Sequence, residues 1–314
     1  DLPIALGILI ASEQLKAPED ELKDSIFVGE LSLDGNLRRI WGILPCALMA
    51  REKKYKNLFI PKDNLEEAQI LDKISVFPVL SLRALFDHFA TDKKIQKAPF
   101  KKLKYQALES SEYDFENVRG QESAKRALEI ASAGAHNVLM KGSPGAGKTL
   151  MARSFSTILP KLTFEESLEV TKIYSVANLL DGDTPIIQTR PFRNPHHTTS
   201  HIGLIGGGNV PRPGEISLAH RGVLFLDEFA EFPRHVLEAL SQPMEDGHVT
   251  ISRAAGSARF PARFTLIAAT NPCPCGYFGD PVRPCKCLTG QIQRYQKRIS
   301  GPIIDRIDLH LDVP

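Results

Sequence analysis

The sequence has no apolar run approaching the roughly 20 residues needed to span a bilayer, and its opening segment Leu2–Ala11 lacks the basic flank and cleavage site of a secretory signal. These absences lead to the expectation of a cytoplasmic protein with no membrane partner. Excess charge is also missing, since 39 Lys and Arg stand against 37 Asp and Glu, a net +2. That balance excludes no partner, because a local basic surface fits inside a neutral total. Cysteines are few, five in all, and in a cytoplasmic chain they are expected to be reduced. A starting Met is absent and the chain stops just after the strand-like run Leu309–Val313, so it reads as a piece of something longer. What is present, 42 % hydrophobic and 24 % charged residues in 314, is the composition of a globular protein with a sizeable core and length for about two domains.

The stretch around which the chain is organised runs from Asn137 to Thr149, NVLMKGSPGAGKT. Gly142, then four residues, then Gly147-Lys148-Thr149 fits the phosphate-binding loop, with an apolar run before it (Val138–Met140) and a helix-forming run after it (Leu150–Leu159). Gly142, Gly145 and Gly147 let the backbone turn its N–H groups inward. The loop through Ser143, Pro144 and Ala146 and the following helix start then form an anion cradle. Lys148 is placed to meet the β- and γ-phosphates, and the Thr149 hydroxyl to sit on Mg²⁺. ATP and Mg²⁺ are therefore the expected ligands; the bland alternative is a Gly-rich turn that binds nothing.

Residues 1–89 read as a smaller α/β unit, with strands at Phe27–Leu33, Asn57–Ile60 and Val76–Val79 and helices at Trp41–Lys53 and Ser81–Phe89. The wording DSIFVGELSLDGNL (24–37), then Ile60-Pro61-Lys62, resembles the C-terminal part of the Lon-protease (S5-like) domain. That family works with a Ser–Lys dyad. In place of its Pro-Ser-Ala-Gly turn this chain has Pro3-Ile4-Ala5-Leu6, in place of its Gly-Gly-Leu it has Gly42-Ile43-Leu44, and no Lys lies between Lys23 and Lys53. Without nucleophile or base, peptide hydrolysis has no route, so the unit is expected to be inactive and to have no protease substrate. Residues 90–117 read as a linker, basic and without period from Thr91 to Lys104; a nucleic-acid role is the alternative there.

The nucleotide-binding domain is expected over 118–314, entered by Asp114–Ala131, which sets apolar residues on one helical face. Gly222-Val-Leu-Phe-Leu-Asp227-Glu228 reads as a strand buried on both faces and ending in two carboxylates. At the edge of a parallel sheet Asp227 would hold Mg²⁺ and Glu228 would polarise the attacking water. Thr265–Asn271 is a second buried strand, ending in Asn. In this order the motifs resemble the AAA+ ATPases. The resemblance implies that the backbone at Val118 and Gln121 brackets the adenine, that Asn271 orients the water, and that Arg306, within Ser300–Asp308, is an arginine finger. Such a residue reaches the γ-phosphate of a neighbouring subunit, so the working form is expected to be a homo-oligomeric ring, a hexamer. The plain readings are an acidic turn, an Asn that favours turns, and an ion pair of Arg306 with Asp305 or Asp308.

Two insertions narrow the branch. RPFRNPHHTTSHIGLIGGG (190–208), followed by PRPGEISLAH (211–220), closely resembles the magnesium-chelatase-like AAA+ proteins of the ComM/YifB family. The resemblance covers essentially the whole chain and implies a P-loop AAA+ core, a parallel sheet flanked by helices, behind a degenerate Lon-like unit. It also implies an ATP-driven motor on DNA, in branch migration or unwinding of transforming DNA; the alternative is a chelatase-type ATPase subunit that remodels a protein partner for metal insertion. His196, His197 and His201 are given loop and packing roles, because no acidic or Cys partner shares their segment. Residues 247–263 read as a β-hairpin about a turn at Ala254–Ser257. In the family this resembles, the hairpin points into the ring's pore, where Arg253, Arg259 and Arg263 would supply sequence-independent contacts to DNA phosphates; the alternative is a solvated hairpin with ordinary surface arginines.

Four of the five cysteines fall in two pairs, Cys273-Pro-Cys275 and Cys285-Lys-Cys287, nine residues apart around Gly276, Gly279, Pro281 and Pro284. Two such pairs facing each other across a turn supply the thiolates of a structural Zn²⁺ site. The spacing is C-x-C rather than the commoner C-x-x-C. Cys46 is left over on an apolar helix and reads as a small buried hydrophobe.

Overall fold

The computed structural model describes residues 1–101, 113–180, 186–253 and 256–314, and the chain divides into two compact units, 1–106 with 174–187 and 107–173 with 188–314. The basic linker's residues 102–112 and the hairpin-turn residues 254 and 255 lie outside the described residues. The division puts 174–187 with the front unit, although the sequence places them inside the nucleotide-binding stretch.

The first unit contains α1 (Leu2–Ala11), β1 (Ser25–Phe27), α2 (Ile43–Glu52), β2 (Asn57–Pro61), β3 (Ser75–Val79) and α3 (Leu82–Ala90). Its parallel sheet has the order β1-β2-β3 and aligns Phe27, Phe59 and Phe77 side by side. Their rings stack at 4.8 and 4.7 Å, a cross-strand ladder over which Leu2, Leu6, Leu85 and Phe89 close. Ser81 caps α3 by accepting the Ala84 N–H at 3.1 Å. The expected strand Phe27–Leu33 is split: β1 ends at Phe27, and Glu30–Leu31 pairs antiparallel with Leu37–Arg38. Gly29 lies at the break, where a Cβ would stand 2.8 Å from the end of the Leu37 side chain and 3.3 Å from that of Leu2, so the chain bends where the core packs close against the backbone.

The second unit contains α4 (Glu122–Gly134), β4 (Val138–Gly142), α5 (Lys148–Phe155), α6 (Phe164–Ala177, as far as Ile173), β5 (Phe192–Arg193), β6 (Val223–Leu226), β7 (His248–Arg253), β8 (Gly256–Pro261), β9 (Thr265–Thr270), α7 (Thr289–Gln296) and β10 (Leu309–Val313). Five strands form one parallel sheet in the order β10-β4-β9-β6-β5. Alternate residues of the buried strands feed two layers. Leu224, Leu226, Leu266 and Ala268 join one cluster, while Val223, Phe225, Ile267, Ala269, Val138 and Met140 join the other. A fully buried side chain such as Phe225 or Ile267 contributes about 1.5–3 kcal/mol, which fixes the register that aims the strand ends. Asn137, just ahead of β4, ties three strands together. Its Oδ1 accepts the Leu266 N–H at 2.8 Å, its Nδ2 donates to the Arg306 carbonyl at 3.0 Å, and its own N–H donates to Asp308 at 2.8 Å. The carboxyl ends of β4, β9 and β6 thus lie side by side, where an open α/β sheet offers its crevice.

Each unit encloses one buried histidine, and burial pulls the pKa of both His88 and His220 below the ordinary histidine range. His88 Nδ1 accepts the Ile95 N–H at 2.9 Å, with Glu21 and Lys94 nearby. His220 Nδ1 accepts the Arg263 N–H at 3.0 Å while Nε2 faces Glu169 at 3.1 Å, beside Arg221. The neutral ring is thus the one the fold selects. A depressed histidine contributes stability above its unfolded pKa and loses it as pH falls through the folded value. The melting temperature is expected to fall as pH drops below about 6.5, and His220→Gln to flatten that dependence in thermal melts between pH 7.5 and 5; an unchanged slope would contradict it.

Candidate functional site

The phosphate loop leaves β4 and enters α5 with Gly145 and Gly147 at φ 85° and 87°, left-handed values that favour glycine. Gly142 is required for a different reason: β10 runs so close that a Cβ there would lie 2.0 Å from the Val313 carbonyl oxygen. The cleft behind the loop has a volume of about 370 Å³, and Pro144, Gly145, Ala146, Gly147, Lys148, Thr149, Asp227, Glu228 and Asn271 are among its lining residues. Lys148 is buried, its Nζ donating to the carbonyls of Gly142 (2.7 Å) and Ser143 (2.9 Å) and to Asn271 Oδ1 (3.3 Å). Burial pulls its pKa down and Asp227 opposes the shift. A desolvated ammonium that donates only to dipoles, with the Asp227 charge acting from a distance, is poised for an anion.

Thr149 Oγ1 donates to Asp227 Oδ2 at 2.8 Å. A hydroxyl and a carboxylate brought together at a helix start suit Mg²⁺, a hard cation that takes one or two protein oxygens and completes its shell with phosphate and water. Asp227 Oδ1 also accepts the Glu228 N–H at 2.9 Å, and Glu228 itself has φ 52°. That strained turn at the end of β6 aims its side chain along the cleft. Sequence reasoning gave His197 no acidic partner, yet its Nδ1 lies 2.9 Å from Glu228 Oε2, with the His196 ring tilted against it at 4.1 Å and Phe232 on its edge. The partner comes from a strand end 31 positions away in sequence, and no local pattern marks it. His201 sits apart, its ring 6.5 Å from that of His235.

The remaining expected residues are placed as follows. Val118 is buried among Ala124, Leu128 and Ala131, and Gln121 donates from Nε2 to the Pro314 carbonyl at 3.0 Å, so neither lines the cleft. Arg306 pairs with Glu245, not with Asp305 or Asp308, and also donates to the Pro302 carbonyl. β7 and β8 form the expected hairpin, with Val249 and Ile251 turned into the core. Its register sets Arg253 opposite Gly256 on that inner side at the tip, and Arg259 opposite Thr250 on the solvent side. Arg263 follows the hairpin, covering Gly247. All three arginines are exposed, but they do not share a face.

The four cysteines converge. Sγ–Sγ distances are 3.4 Å for Cys273–Cys275, 3.7 Å for Cys273–Cys285 and 3.6 Å for Cys275–Cys285, and all four sulfurs lie within 4.8 Å of one another. Thiolates at about 2.3 Å in a tetrahedron around zinc stand about 3.8 Å apart, so the donor set fits. The N–H groups of Tyr277 and Lys286 pull the Cys275 thiol down to about 6. At Cys287 the Cys275 N–H acts the same way, but desolvation and the crowded thiols outweigh it and push the thiol up to about 12. One thiolate forbids its neighbours, the repulsion that a divalent cation removes. Cys46 stands alone, its thiol raised by burial. Among the described residues no helix is long and apolar enough to cross a membrane.

The family model of magnesium chelatase, subunit ChlI, matches residues 114–314, and a second ChlI-subunit model matches 1–64. Competence protein ComM of Haemophilus influenzae is 44% identical over 318 residues, covering 100% of this chain and 61% of ComM. YifB of Escherichia coli is 42% identical over 315 residues, covering 100% of this chain and 60% of YifB. The Magnesium-chelatase 38 kDa subunit of Rhodobacter capsulatus is 28% identical over 178 residues, 51% of this chain and 50% of that subunit. The chain therefore spans about three fifths of the length of its ComM and YifB relatives.

Proposed function

The chain belongs to the magnesium-chelatase ChlI family of AAA+ ATPases, and from that premise we propose that it is a Mg²⁺-dependent ATP hydrolase working as a cytoplasmic homo-hexameric ring that moves DNA. The observation that carries the ATPase reading is the meeting of Lys148 with Asn271, and of Thr149 with Asp227, at the mouth of one cleft. Lys148 and the loop N–H groups take the β- and γ-phosphates. Thr149 and Asp227 hold Mg²⁺, which neutralises charge that develops on the phosphates. Glu228, oriented by His197, accepts a proton from the attacking water, and Asn271 holds that water in line. The backbone at Val118 and Gln121, outside the phosphate cleft, borders the adenine in this reading, and Zn²⁺ on Cys273, Cys275, Cys285 and Cys287 is structural.

The DNA reading, branch migration or unwinding of transforming DNA, is supported by similarity over the whole of this chain to three fifths of a relative named for competence, and by the exposed arginines of the hairpin. Turnover is expected to rise when forked or four-way DNA is added, to lose that stimulation at higher salt because phosphate contacts release counterions, and to vanish in a Glu228→Gln control. A rate indifferent to DNA would sink this reading in favour of a chelatase-type subunit acting on a protein partner, to which the 28% identity with the 38 kDa subunit points.

A further inference from the structure

The segment from Pro272 to Leu288 contains no helix or strand and exposes Phe278, Val282 and Leu288, so little apolar burial holds it. Yet it grips the phosphate loop at two points. Asp280 Oδ2 accepts the Ser143 hydroxyl at 2.7 Å, while its Oδ1 accepts the N–H groups of Val282 (2.9 Å) and Arg283 (2.8 Å). Gly276, buried at φ 85°, lies so close to Pro144 that a Cβ would stand 2.6 Å from the proline ring carbons. At its start the same segment continues from Asn271, with Cys273 two residues on.

We infer that the four-cysteine centre is a zinc site that sets nucleotide affinity, by fixing Asp280 and Gly276 against Ser143 and Pro144 of the phosphate loop. The inference rests on the zinc reading proposed above. Both gripping residues, Gly276 and Asp280, lie between the two cysteine pairs. Closing the pairs on one cation removes most of the freedom of that loop, work that burial elsewhere would have to do. Asp280 then presents a fixed carboxylate to Ser143, whose carbonyl is one of the acceptors holding Lys148. With the pairs open, the loop carries away the acceptor of Ser143 and the wall behind Pro144, and the cradle must be ordered by the nucleotide itself, at a cost in affinity.

The test uses the whole protein in three states, as purified, stripped with chelator and reductant, and reloaded with zinc sulfate. Metal content is read by mass spectrometry, binding by anisotropy of a fluorescent ATP analogue, and fold by circular dichroism. The expected result is one zinc per chain, binding weaker on the order of tenfold after stripping, as for loss of a hydrogen bond to a charged group, and recovery on reloading. Asp280→Ala and Gly276→Ala keep all four sulfurs, so they are expected to retain zinc and still bind the analogue more weakly. Zinc bound at one equivalent, with affinity indifferent to its removal or to both variants, would overturn the coupling and leave the metal reading standing. No zinc retained or taken up would overturn the metal reading itself. Should the stripped protein unfold, the two variants decide the coupling alone.

Discussion

Glu228→Gln is expected to lower ATP turnover by roughly 10²–10⁴-fold, the usual contribution of a positioned general base, while leaving ATP binding unchanged. The amide keeps the size and the polar contact of the carboxylate, so the turn at φ 52° and the approach of His197 survive. What is lost is the ability to take the proton of water. In the proposed reading nucleotide affinity rests on other groups: Lys148 on its two loop carbonyls, and the Thr149–Asp227 pair that would meet the metal. Turnover and binding should therefore separate, as measured by phosphate release and by equilibrium titration with the same nucleotide. His197→Ala gives the intermediate case. Its ring orients the base without touching the phosphates, so turnover is expected to fall on the order of tenfold, the worth of one hydrogen bond to a charged group, with affinity unaltered and Glu228→Gln no worse in its presence. A Glu228→Gln protein that still hydrolyses at the parental rate would remove Glu228 from the chemistry.

The parts of the site legible in the sequence are those whose chemistry is local. A phosphate loop needs its glycines and Lys148-Thr149 within one turn, so eight consecutive residues declare it. Buried parallel strands need unbroken apolar runs, and Val223–Leu226 and Thr265–Thr270 show them, with Asp227 and Asn271 marking where they end. The cysteine pairs were legible for the same reason, since each pair shares one bend. What the sequence does not display is any partnership between remote segments. His197 finds Glu228, Asp280 finds Ser143, and Asn137 clamps Leu266 and Asp308 only because the order β10-β4-β9-β6-β5 brings those ends together. The break in the strand at Gly29 escapes for a related reason, because the obstructing side chains of Leu2 and Leu37 come from elsewhere in the chain. The plain alternative for Arg306 looked to its sequence neighbours Asp305 and Asp308, and the fold instead gives it Glu245.

That pairing makes Arg306 the sharper test of the proposed ring. If Arg306 stabilises charge on a neighbour's γ-phosphate, Arg306→Ala is expected to cut turnover by about 10³-fold or more, as arginine fingers do, with nucleotide affinity in the subunit's own cleft unchanged. A structural role predicts a different pattern. Glu245 is 58% exposed and the Arg306 side chain 26%, and an ion pair open to water contributes about 0–1 kcal/mol. Breaking the pair from its other end, by Glu245→Gln, should then leave turnover nearly unchanged if Arg306 is a finger, and should reproduce Arg306→Ala if the pair is what matters. Mixing provides the geometric proof. An Arg306→Ala subunit keeps its Glu228, and a Glu228→Gln subunit keeps its Arg306, so neither is active alone. In a random equimolar ring about a quarter of the interfaces, one half times one half, join an intact cleft to an intact neighbouring arginine. Turnover should return toward that fraction of the parental rate. Mixed rings that stay inactive would place the action of Arg306 within its own chain, where Glu245 already holds it.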